Sequence, residues 1–292
     1  MAKIYYFEGK YLSGEQLSFT INNRAFRYGD SVFESIAFFR GHAPLLPLHF
    51  ERLTAACAYA CINLPAHFTL NYIRHVLLQL ATQIGAPETA AEAVNARIRL
   101  CIWRSDGGLY APTNNNAQYL IEAEPLPHNG FVLNKTGLRV GICPYPQPSA
   151  HVFGGFKTGS ALQYVRAALY KQEQGWDDCI LTDACGQWLE TTNSNLFVCT
   201  TDNRLLTPPP LCGVQGVMRR QILQWAKQTG IDTGETAIYG QQYGNTEQIS
   251  EIWCTNAVQG IRWVGQWNGV NLRKEWAEAA VEALNKTVVQ KR

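Results

Sequence analysis

The chain has 292 residues, of which 46% are hydrophobic and 16% are charged, and its formal net charge is +2. These values are typical of a globular protein with a sizeable core. So small a net charge gives no electrostatic reason to expect nucleic acid or an anionic membrane as a partner. The sequence shows neither a cleavable signal nor an apolar stretch of membrane-spanning length, so we expect a cytoplasmic protein.

The nine cysteines favour neither disulfides nor a metal site. Their number is odd, no CxxC pair occurs, and they are scattered over positions 57, 61, 101, 143, 179, 185, 199, 212 and 254. In a chain without a secretory signal, this pattern predicts buried, reduced thiols.

The first half of the chain alternates between strand and helix patterns. KIYYFEGKYL, followed by Gly14, is typical of a hairpin. LSFTINNRAFRYGDSVFESIAFF predicts a strand, an irregular turn and a second strand. Helical spacing then predicts a helix from Leu48 and another from Leu70 to Ile84. ARIRLCIWRSDGG alternates with period two, which predicts a strand with Arg97 and Arg99 on one face, and QYLIEAE predicts a further strand.

Proline, glycine and Asn-Gly accumulate in residues 125–137, which predicts a linker between a domain of residues 1–124 and a domain of residues 138–292. The second half begins with the strand LRVGIC and a helix with Leu162, Val165 and Leu169 in register. Next come the hairpin CILTDACGQWLE, the strand NLFVCT and a helix over 217–229. EIWCTNAVQGIRWVGQWNG predicts strand, turn and strand before a final alanine-rich helix. Two α+β domains are the fold class that this order favours.

Lys157 differs in its surroundings from lysines such as Lys171, Lys227 and Lys286, which lie among polar residues of predicted helices. It stands in GGFKTGS, where glycines and Phe156 allow it to enter a crowded, partly apolar cavity. Desolvation lowers the pKa of an ammonium group, which is what a Schiff-base lysine requires. An exposed lysine in a glycine-rich loop is the alternative. The spacing of a Walker A phosphate loop is absent.

Glu190 gains meaning beside that lysine, because a fixed carboxylate keeps the nitrogen of a bound pyridine ring protonated. Its alternative is a solvent-facing residue at a strand end. Residues 213–218 and 255–257 offer backbone amides at a helix start and a tight turn, which suit a phosphate. Arg52 could add a cation there, or lie exposed on its helix.

The order of these residues resembles the signature of class IV aminotransferases, the fold-type IV pyridoxal-phosphate enzymes. ETTNSNLF (190–197), LLT (205–207) and VQGVMR (214–219) fill its constrained positions. RYGDSVFES, HFERL, IRLCIWR, FKTGSALQY and CTNAVQG agree in order, so the similarity covers nearly the whole chain. The family includes branched-chain and D-amino acid aminotransferases and aminodeoxychorismate lyases. The resemblance implies a two-domain fold similar to that of D-amino acid aminotransferase, with a small N-terminal α/β domain and a larger C-terminal pseudo-barrel α/β domain.

The resemblance also implies roles for single positions. Lys157 would be the catalytic lysine that binds pyridoxal 5'-phosphate covalently. Further positions implied to bind the cofactor are Arg52, Tyr164 (through the ring's phenolic oxygen), Glu190, Asn195, Val217, Met218, Asn256 and Ala257. Positions implied to line the substrate pocket are Tyr28, Arg97, Arg99 and Arg104. Family members are homodimers with shared active sites, and no metal is implied.

The subfamily stays open at this stage. ETTNSN departs from the glycine-rich wording of branched-chain enzymes, and GVQGVMR and TNAVQG are nearer to aminodeoxychorismate lyases. Against the lyase, Glu34-Ser35 stands where lyases tend to carry consecutive threonines. Transfer of an amino group between an amino acid, branched-chain as a first guess, and a 2-keto acid such as 2-oxoglutarate is the leading interpretation. Elimination of pyruvate from 4-amino-4-deoxychorismate and a non-catalytic cofactor-binding protein are the alternatives.

Overall fold

The computed structural model describes residues 4–84, 94–147, 153–210, 213–240 and 248–289. The chain divides into two compact units, the first comprising Met1–Gly130 and Phe156–Ser160 and the second comprising Phe131–Gly155 and Ala161–Arg292. The segment 156–160, which the sequence analysis placed in the second domain, thus groups with the first unit. The domain boundaries given above stay a prediction.

The first unit contains a five-stranded antiparallel sheet in the order β2-β1-β5-β4-β3. A tight turn at Glu8 and Gly9, both with positive φ, closes the predicted hairpin. In β3 and β4, alternate side chains enter the core, because successive residues of a strand point to opposite faces. The strands are β1 (Ile4–Phe7), β2 (Lys10–Ser13), β3 (Ser31–Phe38), β4 (Ala96–Arg104) and β5 (Ala117–Pro125).

Three helices accompany this sheet: α1 (Arg24–Tyr28), α2 (Leu46–Tyr59) and α3 (Leu70–Gln83). The expected strand at LSFT is wrong, since residues 17–20 have no regular structure. The expected irregular turn contains α1, whose start is capped by the Asn23 side chain and whose end is Gly29 with φ 65°. Leu53, Leu77 and Leu80 pack α2 and α3 into the core of the unit.

The second unit contains a nine-stranded mixed sheet, in the order β11-β10-β9-β12-β13-β6-β7-β8, with β14 paired to β13. The predicted hairpin is the antiparallel pair β7–β8, and β9 pairs with β12 and β10. The strands are β6 (Leu138–Ile142), β7 (Asp178–Thr182), β8 (Trp188–Thr191), β9 (Asn195–Thr200), β10 (Arg204–Thr207), β11 (Asp232–Glu235), β12 (Ile249–Asn256), β13 (Gly260–Trp267) and β14 (Val270–Asn271).

The helices of this unit are α4 (Leu162–Glu173), α5 (Val217–Gln228) and α6 (Glu275–Leu284), which continues as a π-helical turn, Asn285–Val289. In α5, Met218 and Ile222 are buried as their spacing predicts. In α4, the predicted apolar stripe of Leu162, Val165 and Leu169 is exposed, and Ala167 is the buried residue. Within the described ranges, no helix has both the length and the apolar character needed to cross a membrane.

Candidate active site

Lys157 belongs to a short extended segment that pairs with the edge of β3. The Phe33 amide donates to the Lys157 carbonyl, and the Gly159 amide donates to the Ser31 carbonyl, both at 2.9 Å. A Cβ on Gly159 would lie 2.1 Å from the Ser31 Oγ atom, so a side chain there would force the Ser31 hydroxyl to move. The glycine that follows the lysine in GGFKTGS therefore helps to fix the lysine backbone.

The Lys157 ammonium lies near an aromatic ring that an arginine also contacts. Lys157 Nζ is 5.1 Å from the centre of the Phe33 ring, and Arg99 Cζ is 3.8 Å from it. Both distances suit cation–π attraction. The first unit therefore brings together the predicted catalytic lysine and one of the four predicted substrate residues.

The other predicted substrate residues have different surroundings. Arg97 is about half exposed and forms a 3.2 Å ion pair with Glu124. Tyr28 is half-buried, and its ring centre lies 5.5 Å from that of the exposed Tyr110.

Arg104 is buried and tied to the framework of the first unit. Its Nε donates to Asp30 at 2.9 Å, and its two Nη atoms donate to the carbonyls of Cys61 and Ala60. These contacts engage all three guanidinium nitrogens in the framework, which makes Arg104 a weaker candidate for the substrate than Arg99.

Arg52, the predicted phosphate ligand, is oriented by a buried carboxylate. Its Nε and Nη2 donate to the two oxygens of Glu34 at 2.7 and 2.5 Å, and His49 Nδ1 lies 2.6 Å from the same carboxylate. Burial would raise the pKa of Glu34, but the Arg52 charge and the hydrogen bonds from His49 and Arg52 lower it to about 2. Burial lowers the pKa of His49. Glu34 is therefore an anion that fixes the Arg52 guanidinium.

Glu190, the predicted partner of the ring nitrogen, is held in the second unit on two sides. The Tyr164 hydroxyl donates to Oε1 at 2.5 Å, and the Val214 amide donates to Oε2 at 3.0 Å. A Cβ on Gly213 would lie 2.7 Å from the carboxylate carbon, so a side chain there would displace the carboxylate. The structure thus places Tyr164 on the carboxylate expected to serve the ring nitrogen.

Asp178 stabilises the turn between β8 and β9. The sequence of this turn, ETTNSN, differs from the glycine-rich segment typical of branched-chain enzymes. The buried Asp178 carboxylate accepts hydrogen bonds from the hydroxyls of Thr191 and Thr192, at 2.8 and 2.6 Å. Asn195 follows the turn and donates to the Val214 carbonyl at 2.7 Å. Side-chain hydrogen bonds thus hold this turn and the start of β9 in place.

The start of α5 has the features of an anion site. Gly216 precedes Val217 and Met218, and no side-chain hydrogen bond caps this helix start. A Cβ on Gly216 would lie 1.8 Å from Asn195 Oδ1, so the close approach requires glycine. Uncapped amides at a helix start carry partial positive charge and bind anions.

A tight turn follows β12, the strand that pairs with β9. Near the end of β12, Thr255 pairs with Asn195 of β9. Asn256 shapes the turn, because its Oδ1 accepts from the amides of Val258 and Gln259, and its Nδ2 donates to Ser194. Among the described residues, Thr255 Oγ1 is buried without a hydrogen-bond partner. A buried donor of this kind requires a partner, and a phosphate oxygen is one that fits.

The predicted absence of metal stays a prediction. Over the ranges that the structure describes, no group of three or more His, Cys, Asp or Glu side chains is arranged to hold a metal ion. Within the second unit, the candidate donors are the amides at the start of α5 and the Thr255 hydroxyl, which suit a phosphorylated organic group better than a metal.

Three residues that orient the predicted site residues were not predicted from the sequence: Glu34, His49 and Asp178. Glu34 alternates with Val32 and Ile36 on the core face of β3, and a carboxylate on such a face requires a partner. That signal was present in the sequence. The signal for His49 and Asp178 was absent, because their partners are 13 to 15 residues away in the chain.

Comparison with known proteins identifies the family. The family model described as amino-transferase class IV matches residues 31–267, which is more than half of the chain. An aminodeoxychorismate lyase of Vibrio harveyi is 24% identical over 82% of this chain and 84% of its own length. The branched-chain-amino-acid aminotransferase of Escherichia coli K12 is 25% identical over 88% of this chain and 85% of its own length.

A solved structure shows the same fold. The crystal structure of a branched-chain aminotransferase from the archaeon Thermoproteus uzoniensis, with norvaline, has a TM-score of 0.85. It is 20% identical and covers 100% of this chain and 96% of its own. The predicted fold-type IV architecture is therefore confirmed.

Proposed function

We propose a reaction for this protein from one premise: the chain belongs to the class IV aminotransferase family, whose members are pyridoxal-phosphate enzymes. The proposed reaction exchanges an amino group between an amino acid and a 2-keto acid such as 2-oxoglutarate. The observation that carries it is that Lys157 and Arg99 both approach the Phe33 ring, because transamination needs an amine that moves a proton and a group that binds a carboxylate.

Bound pyridoxal phosphate supplies an electron sink for the charge left at the substrate's α-carbon. Lys157 would hold the cofactor covalently, and its amine would be the base that removes the proton from the substrate's α-carbon and the acid that returns it. Glu190 would keep the ring nitrogen protonated. The phosphate would be held by the amides of Val217 and Met218, by Arg52 and by the turn at Asn256 and Ala257.

Arg99 is the proposed ligand of the substrate carboxylate. Its guanidinium lies against the same ring as Lys157, and its own carboxylate neighbour, Glu122, is 3.7 Å away at the partly exposed strand surface. A branched-chain amino acid is the first substrate class to assay, since the relative in Escherichia coli is a branched-chain-amino-acid aminotransferase.

Elimination of pyruvate from 4-amino-4-deoxychorismate is the second candidate. It is favoured by the similarity to the Vibrio harveyi protein and by the wording GVQGVMR and TNAVQG. The same lysine would serve this reaction, without transfer of nitrogen to the cofactor. A cofactor-binding protein without catalysis is the third candidate, and retention of Lys157, Glu190 and Arg52 argues against it.

A homodimer in the cytoplasm completes the proposal. Several large apolar side chains of the first unit are exposed, among them Ile21, Phe26, Leu109 and Tyr110. Large apolar side chains exposed on a globular surface favour association with another chain. All eight described cysteines are free, as in proteins of reducing compartments. Light scattering coupled to gel filtration should give twice the 32.7 kDa chain mass.

The colour of the purified protein tests the proposal first. Purified protein should be yellow, and borohydride should fix the cofactor covalently to Lys157. Lys157→Ala should be folded, should not be labelled and should lose turnover, whereas Lys227→Ala on the exposed end of α5 should behave as the parent. Colourless protein that gains no absorbance with added cofactor would refute both enzyme candidates.

The spectrum with substrates separates the candidates. Conversion to the aminated cofactor on adding an amino acid, reversed by a 2-keto acid, is expected for a transaminase. Release of pyruvate from aminodeoxychorismate without that conversion would establish the lyase. A spectrum that responds to neither, on a protein that retains cofactor, would establish the non-catalytic candidate.

A further inference from the structure

We propose that Tyr164 is a positioning residue for Glu190 and not a direct ligand of the cofactor. This inference rests on the proposed function, because Glu190 is the carboxylate expected to serve the ring nitrogen. It differs from the role that family resemblance suggested for Tyr164, which was a hydrogen bond to the ring's phenolic oxygen.

The geometry of the hydroxyl carries the inference. Tyr164 Oη lies 2.5 Å from Glu190 Oε1, and this bond joins α4 to β8 within the second unit. A phenol has one hydrogen to donate. While Tyr164 donates it to Glu190, it has none left to donate to an oxygen of the cofactor.

Packing around the Tyr164 ring holds its hydroxyl in this contact. The ring packs against the buried cluster of Cys143, Ala167, Cys179 and Leu181. Ala167 follows Tyr164 by three residues, so the two share the inner side of α4, while Leu162, Val165 and Leu169 are exposed. This face of α4 is therefore packed against the core of the second unit, and Tyr164 lies on it.

The carboxylate is confined on its other sides as well. Val214 donates its amide to Oε2 at 3.0 Å, and the Gly213 position has no room for a side chain. Glu190 is only 6% exposed, so water cannot readily replace the phenol. Hydrogen bonds to a carboxylate favour its charged form, and a group held from both oxygens cannot rotate away from a bound ring.

A double-mutant cycle on the protein without cofactor tests the coupling directly. Tyr164→Phe should shift the unfolding equilibrium constant roughly tenfold, because hydrogen bonds to charged groups contribute at that level. In a Glu190→Ala background the same change should have little effect. Tyr170→Phe, an equivalent change on the same helix, is the matched control and should shift the constant equally in both backgrounds.

Cofactor titration of the same four proteins provides the second readout. Tyr164→Phe should weaken binding of pyridoxal phosphate roughly tenfold when Glu190 is present and hardly at all when it is absent. An equal loss in both backgrounds would overturn the inference in favour of direct contact with the cofactor. Absence of coupling in the cofactor-free cycle would also overturn it.

These outcomes separate this inference from the proposed function. If no variant binds pyridoxal phosphate, the proposed function fails, while the cofactor-free cycle still decides whether Tyr164 positions Glu190. If binding is normal but the cycle shows no coupling, the inference fails and the proposed function stands.

Discussion

Arg52 donates to both oxygens of Glu34, through Nε at 2.7 Å and Nη2 at 2.5 Å. A planar guanidinium bound in this two-point manner cannot swing, so Glu34 decides where Arg52 points. Both side chains are nearly buried, which makes this pair strong and costly to break.

Glu34→Gln should destabilise the protein at pH 7 and flatten its response to acid. Glu34 has a folded pKa of about 2 against an ordinary value of 4.5, so its contribution is present above pH 4.5 and is lost as the pH falls towards 2. A shift of this size corresponds to about 3 kcal/mol. Urea unfolding at pH 7 and pH 3 measures it.

Glu124→Gln is the control for that measurement. Glu124 forms an exposed pair with Arg97, and exposed pairs contribute about 0–1 kcal/mol. A Glu34→Gln protein with the parent's stability at pH 7 would contradict the role given to Glu34.

Arg99→Gln should weaken substrate binding more than Arg97→Gln does. Arg99 lies against the ring that Lys157 also approaches, while Arg97 is exposed and paired with Glu124. Loss of a charge-assisted contact predicts a rise in KM of roughly tenfold for Arg99→Gln. Steady-state kinetics with 2-oxoglutarate measure this change, and a larger rise in KM for Arg97→Gln would reverse the assignment.

Gly213→Ala should disturb the Glu190 carboxylate. The added Cβ would lie 2.7 Å from the carboxylate carbon and 2.8 Å from Oε2. Overpacking of this kind costs about 1–3 kcal/mol, and displacement of Glu190 should weaken cofactor binding as well. Gly14→Ala, whose Cβ would meet its nearest neighbour at 3.4 Å, should leave the cofactor affinity unchanged. Unchanged affinity in Gly213→Ala would show that Glu190 tolerates displacement.

Arg104→Met should lower stability without a selective effect on KM. Removal of this buried guanidinium leaves the Asp30 carboxylate with Arg24 as its remaining ion-pair partner among the described residues. Breaking a buried ion pair costs about 3–5 kcal/mol. Thermal unfolding should show the loss, with Arg139→Met at an exposed position as control. A rise in KM at unchanged stability would restore Arg104 as a substrate ligand.

The sequence predicted local patterns well and long-range pairing poorly. Alternation in β4 correctly placed Arg97 and Arg99 on one face, because strand geometry leaves no other arrangement. The apolar spacing in α4 correctly predicted a helix, but periodicity does not say what covers an apolar stripe, and Leu162, Val165 and Leu169 are exposed.

Charged and polar partners were harder to predict than elements. The bond between Tyr164 and Glu190 spans 26 residues, and nothing local to either residue indicates the other. The family signature predicts which residues belong to the site, whereas the contacts that orient those residues depend on packing. The prediction of a strand at LSFT is wrong for a related reason. The residues have β-propensity, but a strand also needs a neighbouring strand to pair with, and residues 17–20 form no strand.

The pairing of residues 157–159 with β3 bears on how the protein can be divided. β3 is the last strand in its sheet, and this segment pairs with its outer edge at Ser31 to Phe33. A fragment ending at residue 130 would leave that edge open, and open edges recruit strands from other molecules and aggregate. In split-protein or fragment-complementation designs, the first fragment should therefore include a copy of residues 156–160. Without this segment, we expect the fragment to be insoluble.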